Sequence, residues 1–142
     1  MIRSFYIMPL NHRATEERVS EFIADYDACD QFIAGLSASA AGLDFGGETV
    51  FWENVFVSEE TYSGLCMVHP YHGCTLDSYL MADSPELLTH DIFTVRYEIP
   101  GDIPRIERGI RRLVLMNISD ETESIAEKVL SVCPEHVATT VF

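Results

Sequence analysis

Apolar residues along the first hundred positions recur at two different spacings, and each change of spacing marks a new element. Ile2 to Met8 is a short apolar run ended by Pro9, which predicts a buried strand. Thr15 opens a stretch in which Val19, Phe22, Ile23 and Tyr26 recur at helical spacing, while Glu21, Asp25 and Asp27 fall mostly on another face. Glu16 and Glu17 occupy its first turn, where carboxylates suit the positive end of a helix. Leu36 to Leu43, rich in serine and alanine, reads as a second strand, and Gly46-Gly47 as a turn. Thr49 to Val57 is built from β-branched and aromatic residues and predicts the strongest strand. Val50, Trp52, Asn54 and Phe56 share one of its faces, and Phe51, Glu53, Val55 and Val57 the other. Both faces are mainly apolar, so both need cover.

Ser58 with Glu59 and Glu60 signals a helix start. Pro70 bars His69 from helical geometry and suits the first position of a new helical segment, which runs through Leu76 and Tyr79. Ile92 to Ile99 is a further strand before Pro100-Gly101. The order strand, helix, strand, strand, helix, strand predicts an α+β fold, the ferredoxin-like split βαβ sandwich, over residues 1–100. Residues 101–142 then resemble the opening of the chain. Ile110 to Met116 matches Ile2 to Met8 at Ile110, Arg111 and Met116. An acidic helix with Ile125, Ala126, Val129 and Leu130 as its apolar stripe follows, and then a strand from His136 to Phe142. This C-terminal extension reads as a partial repeat, strand–helix–strand, completed by a partner chain or cut from a two-repeat protein. Alternatively, it is only the generic look of a strand–helix–strand segment.

Charge narrows the partners. A net charge of −14 repels phosphate backbones and anionic lipid, so neither nucleic acid nor membrane is expected as a partner. No apolar run is long enough to span a bilayer, and the opening segment does not read as a secretion signal. Cys29, Cys66, Cys74 and Cys133 contain no Cys-x-x-Cys pair and read as reduced thiols in the cytoplasm.

Phe56-Val57-Ser58-Glu59-Glu60-Thr61, then Val68-His69-Pro70-Tyr71-His72, then the strand around Tyr97, resemble the stress-responsive A/B barrel family, as does the helical stretch holding Glu21, Phe22 and Tyr26. The resemblance covers about residues 2–99. It implies a homodimer whose two sheets close a dimeric α/β barrel, with one face of the Thr49–Val57 strand on helices and the other on the second sheet. One plant member, a polyketide cyclase, uses a histidine that corresponds to His72. Its partner tyrosine falls on Cys66, a strand histidine falls on Val50, and another falls near Ser4, so those three positions depart from its pattern.

His72 is therefore the candidate catalytic residue, a general base acting on a carbon acid or hydroxyl; alternatively it caps its helix or bonds a backbone carbonyl. Phe22, Ile23, Tyr26, Val50, Trp52, Asn54 and Cys66 are the candidate substrate-binding residues. Trp52 and Asn54 can stack on and hydrogen-bond a flat ligand, although Trp52 equally suits a core. Tyr26 reads as core with a wet hydroxyl, His69 as a turn-fixing residue, and Glu53 as paired or near an edge. Cys66, His69, His72 and Cys74 are zinc-ligand types, but Pro70 makes a compact tetrahedron awkward, so no metal is expected. Cys74 reads as a buried small side chain or as a reactive thiol. The remaining acidic helix positions read as a solvated face. No organic cofactor is implied, because Gly46-Gly47 lacks the spacing of a nucleotide loop. The function expected is a cofactor-free cyclase, isomerase or lyase acting on a small apolar carbonyl or aromatic compound. The alternative is a non-catalytic small-molecule-binding or stress-response protein, or a remnant whose barrel is filled by the partial repeat.

Overall fold

The computed structural model describes residues 1–80, 87–89, 91–98 and 110. The chain divides into two compact units, Met1–Arg105 and Ile106–Phe142. The expected strand–helix–strand of the partial repeat lies outside the described residues, except for Ile110.

In the first unit, strand β1 (Ile2–Pro9) leads into helix α1 (Glu16–Asp27), a single turn α2 (Cys29–Phe32), and strands β2 (Leu36–Leu43) and β3 (Thr49–Phe56). Two wide helical turns follow, Thr61–Cys66 and His72–Leu76, then a short helix α3 (Asp77–Leu80) and strand β4 (Phe93–Glu98). The sheet is antiparallel with order β2-β3-β1-β4, the arrangement of the ferredoxin-like fold.

Local chemistry explains the boundaries. The Thr15 side chain caps α1 by accepting from the Arg18 backbone N–H, and Val19, Phe22 and Tyr26 form its buried stripe. The Asp44 carboxylate accepts the N–H groups of Glu48 (2.8 Å) and Thr49 (3.0 Å), closing the β2–β3 hairpin beside Gly47, whose φ is +73°. These bonds hold the Asp44 carboxyl below the usual carboxylate range. Ser58 Oγ accepts the Thr61 N–H at 3.1 Å, the cap expected where the next helical stretch begins. The helical segment after His69 begins at Pro70, as its ring geometry requires.

Ile2, Ser4, Tyr6 and Met8 of β1 stand opposite Phe56, Asn54, Trp52 and Val50 of β3, so these eight side chains share a face. The helices cover that face, with Tyr26 and Tyr62 against Trp52 and Phe56. The opposite face carries Phe5, Ile7, Phe51, Val55, Phe93, Val95 and Tyr97, and the core formed under the helices includes none of them. Glu53 lies on this second face in an ion pair with Arg3, as its expected pairing required. The acidic face of α1 and α2 departs from the solvated role expected of it. Asp27 Oδ1 and Asp30 Oδ2 accept the backbone N–H groups of Ala41 and Ser39, both at 3.2 Å, and so satisfy the edge strand β2.

Gly35 turns the chain into β2 at φ +84°, and a Cβ there would run into the side chain of Thr61. Replacing Gly35 with Ala should therefore destabilise the unit by about 1–3 kcal/mol, the usual range for a strained backbone position. A lower urea midpoint with unchanged slope would confirm it, and an unchanged midpoint would show that the turn relaxes freely.

Candidate functional site

The covered face of the sheet holds two kinds of side chain, those whose polar atoms are used inside the protein and those whose polar atoms are not. Trp52 belongs to the first kind. Its indole Nε1 donates to Ser39 Oγ at 2.8 Å, and Ser39 Oγ donates to the Tyr26 carbonyl at 2.6 Å. The Tyr26 hydroxyl donates to the Leu76 carbonyl at 3.1 Å, and the residue is only 1% exposed. Tyr26 is thus fully interior, not a core residue with a wet tip. Burial pushes its hydroxyl well above the ordinary tyrosine range. Phe22 packs on Tyr26 at 4.3 Å between ring centroids and on Tyr79 at 5.0 Å, and Tyr26 meets Trp52 edge-on at 4.8 Å. Val50 is fully buried two residues from Trp52, and Ile23 is half-buried against the same core. Phe22, Tyr26, Val50 and Trp52 therefore form a rigid apolar wall.

Cys66 and His72 are each influenced by a residue that sequence reasoning missed, Asp77. The turn His72–Leu76 is wide, and the Asp77 N–H bonds back to the His72 carbonyl five residues earlier. That bond places residue 77 over residue 72, whereas an α-helix would turn it aside. His72 Nδ1 lies 3.4 Å from Asp77 Oδ2 and, although it is buried, makes no hydrogen bond among the described residues. Asp77 is also close enough to raise the Cys66 thiol, which burial first and then this charge push up to about 11. Its charge reaches Tyr26 as well. Asp77 thus has His72 as its ion-pair neighbour and exerts its charge on both Cys66 and Tyr26. A carboxylate beside a histidine can hold the ring in one orientation and stabilise the imidazolium formed when the base takes a proton.

Asn54 belongs to the second kind. It is 0% exposed, and neither its Nδ2 nor its Oδ1 has a partner among the described residues. The facing Ser4 Oγ is also buried without a partner. His69 Nδ1 accepts the Tyr71 N–H at 3.1 Å, which fixes the turn as expected. Cys74 corrects the reading as a buried side chain, because it is exposed. Among the described residues, no three His, Cys, Asp or Glu side chains are placed to share a metal ion. None of the described helices is long and apolar enough to cross a membrane.

No protein-family profile matches the chain, and no curated protein matches it in sequence. Solved structures do match in fold. A protein from Arabidopsis thaliana is 19% identical, with a TM-score of 0.57 over 74% of this chain and 100% of that one. A protein from Bacteroides fragilis described as dimeric, of ferredoxin-like fold and of unknown function is 15% identical, with a TM-score of 0.53 over 69% of this chain and 96% of that one. A hydroxynitrile lyase from Passiflora edulis is 16% identical, with a TM-score of 0.52 over 72% of this chain and 97% of that one. At these identities the likeness establishes the ferredoxin-like α+β fold of dimeric α/β proteins.

Thiol chemistry separates the described cysteines. Burial pushes the Cys29 thiol up to about 12 and the Cys66 thiol up to about 11, so neither forms thiolate at neutral pH. Brief alkylation of the native protein at pH 8, read by peptide mass spectrometry, should modify Cys74 and spare Cys29 and Cys66 until denaturant is added. Rapid native labelling of Cys66 would show that the wall around it opens.

Proposed function

We propose that the first unit binds a small, largely apolar carbonyl or aromatic compound between its sheet and its helices. His72, with Asp77 beside it, acts on it as general base without an organic cofactor. The observation that carries this reading is the approach of the buried His72 Nδ1 to the Asp77 carboxylate across the wide turn. A proton on Nδ1, the nitrogen nearest Asp77, leaves the lone pair of Nε2 to accept a proton from a carbon acid. Asp77 then faces the positive ring created by that transfer. The Passiflora edulis neighbour is a lyase by description, which fits carbon-acid chemistry on this fold but assigns no reaction to this chain.

The protein is proposed to be a cytoplasmic homodimer. The reduced, unpaired state of Cys29, Cys66 and Cys74 fits a reducing compartment. The apolar face bearing Ile7 and Phe93 (the latter 55% exposed) suits a second sheet, and one fold neighbour is described as dimeric. Residues 101–142 are read as the start of a second repeat, on the sequence match of Ile110–Met116 to Ile2–Met8.

Two experiments test these statements. In deuterium oxide, the wild-type protein should accelerate exchange of the α-protons of small aryl ketones, read by proton NMR. His72→Ala should lower that rate by about 10²–10⁴-fold, the usual share of a general base, and Asp77→Asn should lower it less. Undiminished exchange in His72→Ala would remove the catalytic role, and ketone binding without exchange in the wild type would favour the non-catalytic reading. Native mass spectrometry should show a dimer that Phe93→Asp converts to a folded monomer. A wild-type monomer would overturn the dimer.

A further inference from the structure

Ser4 stands between Asn54 on β3 and Arg96 on β4, in direct register with both, so the three side chains lie in one row across the covered face. Tyr6, two residues along on the same face, places its hydroxyl 3.2 Å from that of Tyr62. The Arg96 guanidinium lies over the Tyr62 ring at 3.7 Å and also interacts with the Tyr6 hydroxyl. The described arginines differ in how far they are already committed. Arg3 is ion-paired with Glu53, and Arg18 with Glu21 at 2.8 Å. Arg96 has the exposed Glu59 at 3.5 Å as its ion-pair contact, besides Tyr6 and Tyr62, and its buried Nε has no hydrogen-bond partner among the described residues.

An unmet buried polar group costs on the order of 1–3 kcal/mol, and folded proteins satisfy nearly all of theirs. Here four unmet positions fall in one row: both ends of the Asn54 amide, Ser4 Oγ and Arg96 Nε. Three of them can donate, and one is cationic. Only Asn54 Oδ1 must accept. Such a row suits a ligand with an anionic oxygen beside a hydroxyl. It suits a neutral hydrocarbon poorly.

We infer that Asn54, Ser4 and Arg96 form a polar binding row, under Tyr6 and Tyr62, for planar hydroxy-substituted carboxylates. The carboxylate accepts from Arg96 Nε and Asn54 Nδ2, and the neighbouring ligand hydroxyl donates to Asn54 Oδ1. The apolar body lies toward Trp52, whose ring is 4.8 Å from that of Tyr6. Tyr6 keeps its proton, because burial raises it far above the usual range and the Tyr62 hydroxyl raises it further, so it serves as a hydroxyl and not as a competing anion. The inference rests on the reading of the covered face as the binding site, and it adds the ligand's charge and the residues that read it. A strongly acidic chain is an unfavourable host for an anion, so the preference must come from this local guanidinium and not from the overall field.

The test is calorimetric titration with 2-hydroxybenzoate and 3-hydroxybenzoate, each against its neutral amide. One of the acids should bind the wild type about 10- to 100-fold more tightly than its amide, the range for a charge-assisted hydrogen bond. Arg96→Gln should abolish that difference, and Arg96→Lys should restore part of it. Asn54→Leu supplies the readout that a structural asparagine would not give. It should raise the melting temperature of the ligand-free protein, by removing an unmet amide, and lose the shift produced by the acid. A lower melting temperature in Asn54→Leu with acid binding retained would overturn the inference. Equal binding of acid and amide, or no saturable binding of either acid, would also overturn it. None of these outcomes touches the His72 reading, which is decided by proton exchange on neutral ketones.

Discussion

The hydrogen-bonded chain from the Trp52 indole through Ser39 Oγ to the Tyr26 carbonyl sets the distance between sheet and helices. Tyr26 lies in the last turn of α1, where carbonyls lack helical partners. Ser39 supplies one from β2, and Trp52 holds Ser39 from β3. Breaking this relay would strand buried polar groups on three elements at once, at about 1–3 kcal/mol each. The Tyr26 hydroxyl extends it to the Leu76 carbonyl, so the turn that carries His72 is docked by the same residue. Asp25 adds two anchors, its carbonyl accepting from Tyr71 and its carboxylate from Tyr79. The position of the candidate base is thus inherited from the core.

The same relay divides the covered face into side chains whose polar atoms are paired and side chains whose polar atoms are not. Trp52 and Tyr26 have aromatic surfaces that suit a flat ligand, yet their polar atoms are consumed by the fold. Asn54, Ser4 and Arg96 keep buried polar atoms that are unmet among the described residues. Apolar shape therefore comes from residues that cannot change roles without loss of stability. The polar row proposed for recognition is made of residues whose ligand-free state is itself unfavourable. Separate placement of stability and recognition is common in sites that keep a few polar groups in an apolar setting.

The wide turns do comparable work in the helical layer. Both Thr61–Cys66 and His72–Leu76 close hydrogen bonds five residues apart, Met67 to Tyr62 and Asp77 to His72. Such turns bring together side chains that ordinary helical spacing keeps apart. In one of them that pair is a histidine and an aspartate. Acidic residues elsewhere also have defined structural tasks. Asp27 and Asp30 satisfy the β2 edge and Asp44 closes a hairpin, so a notable part of the negative charge is structural.

By itself the sequence determined the element order, the two-faced β3 and the capped start of α1, and it singled out His72 as a candidate. Those features depend on side-chain period, capping chemistry and proline geometry, which are local. It also indicated that Trp52 and Asn54 share a face, because alternation along a strand is obligatory. The tertiary structure decided what each of them does. Nothing in the spacing of Ser39, Trp52 and Tyr26 shows that they share a relay, because the links run between elements. Asp77 was invisible for a related reason, since five residues of helix normally carry a side chain away from its predecessor. Arg96, Ser4 and Asn54 come from strands far apart in sequence, and only sheet register sets them side by side. Cys74 looked like a core residue by type and proved exposed, because exposure follows from packing, which residue type alone does not specify.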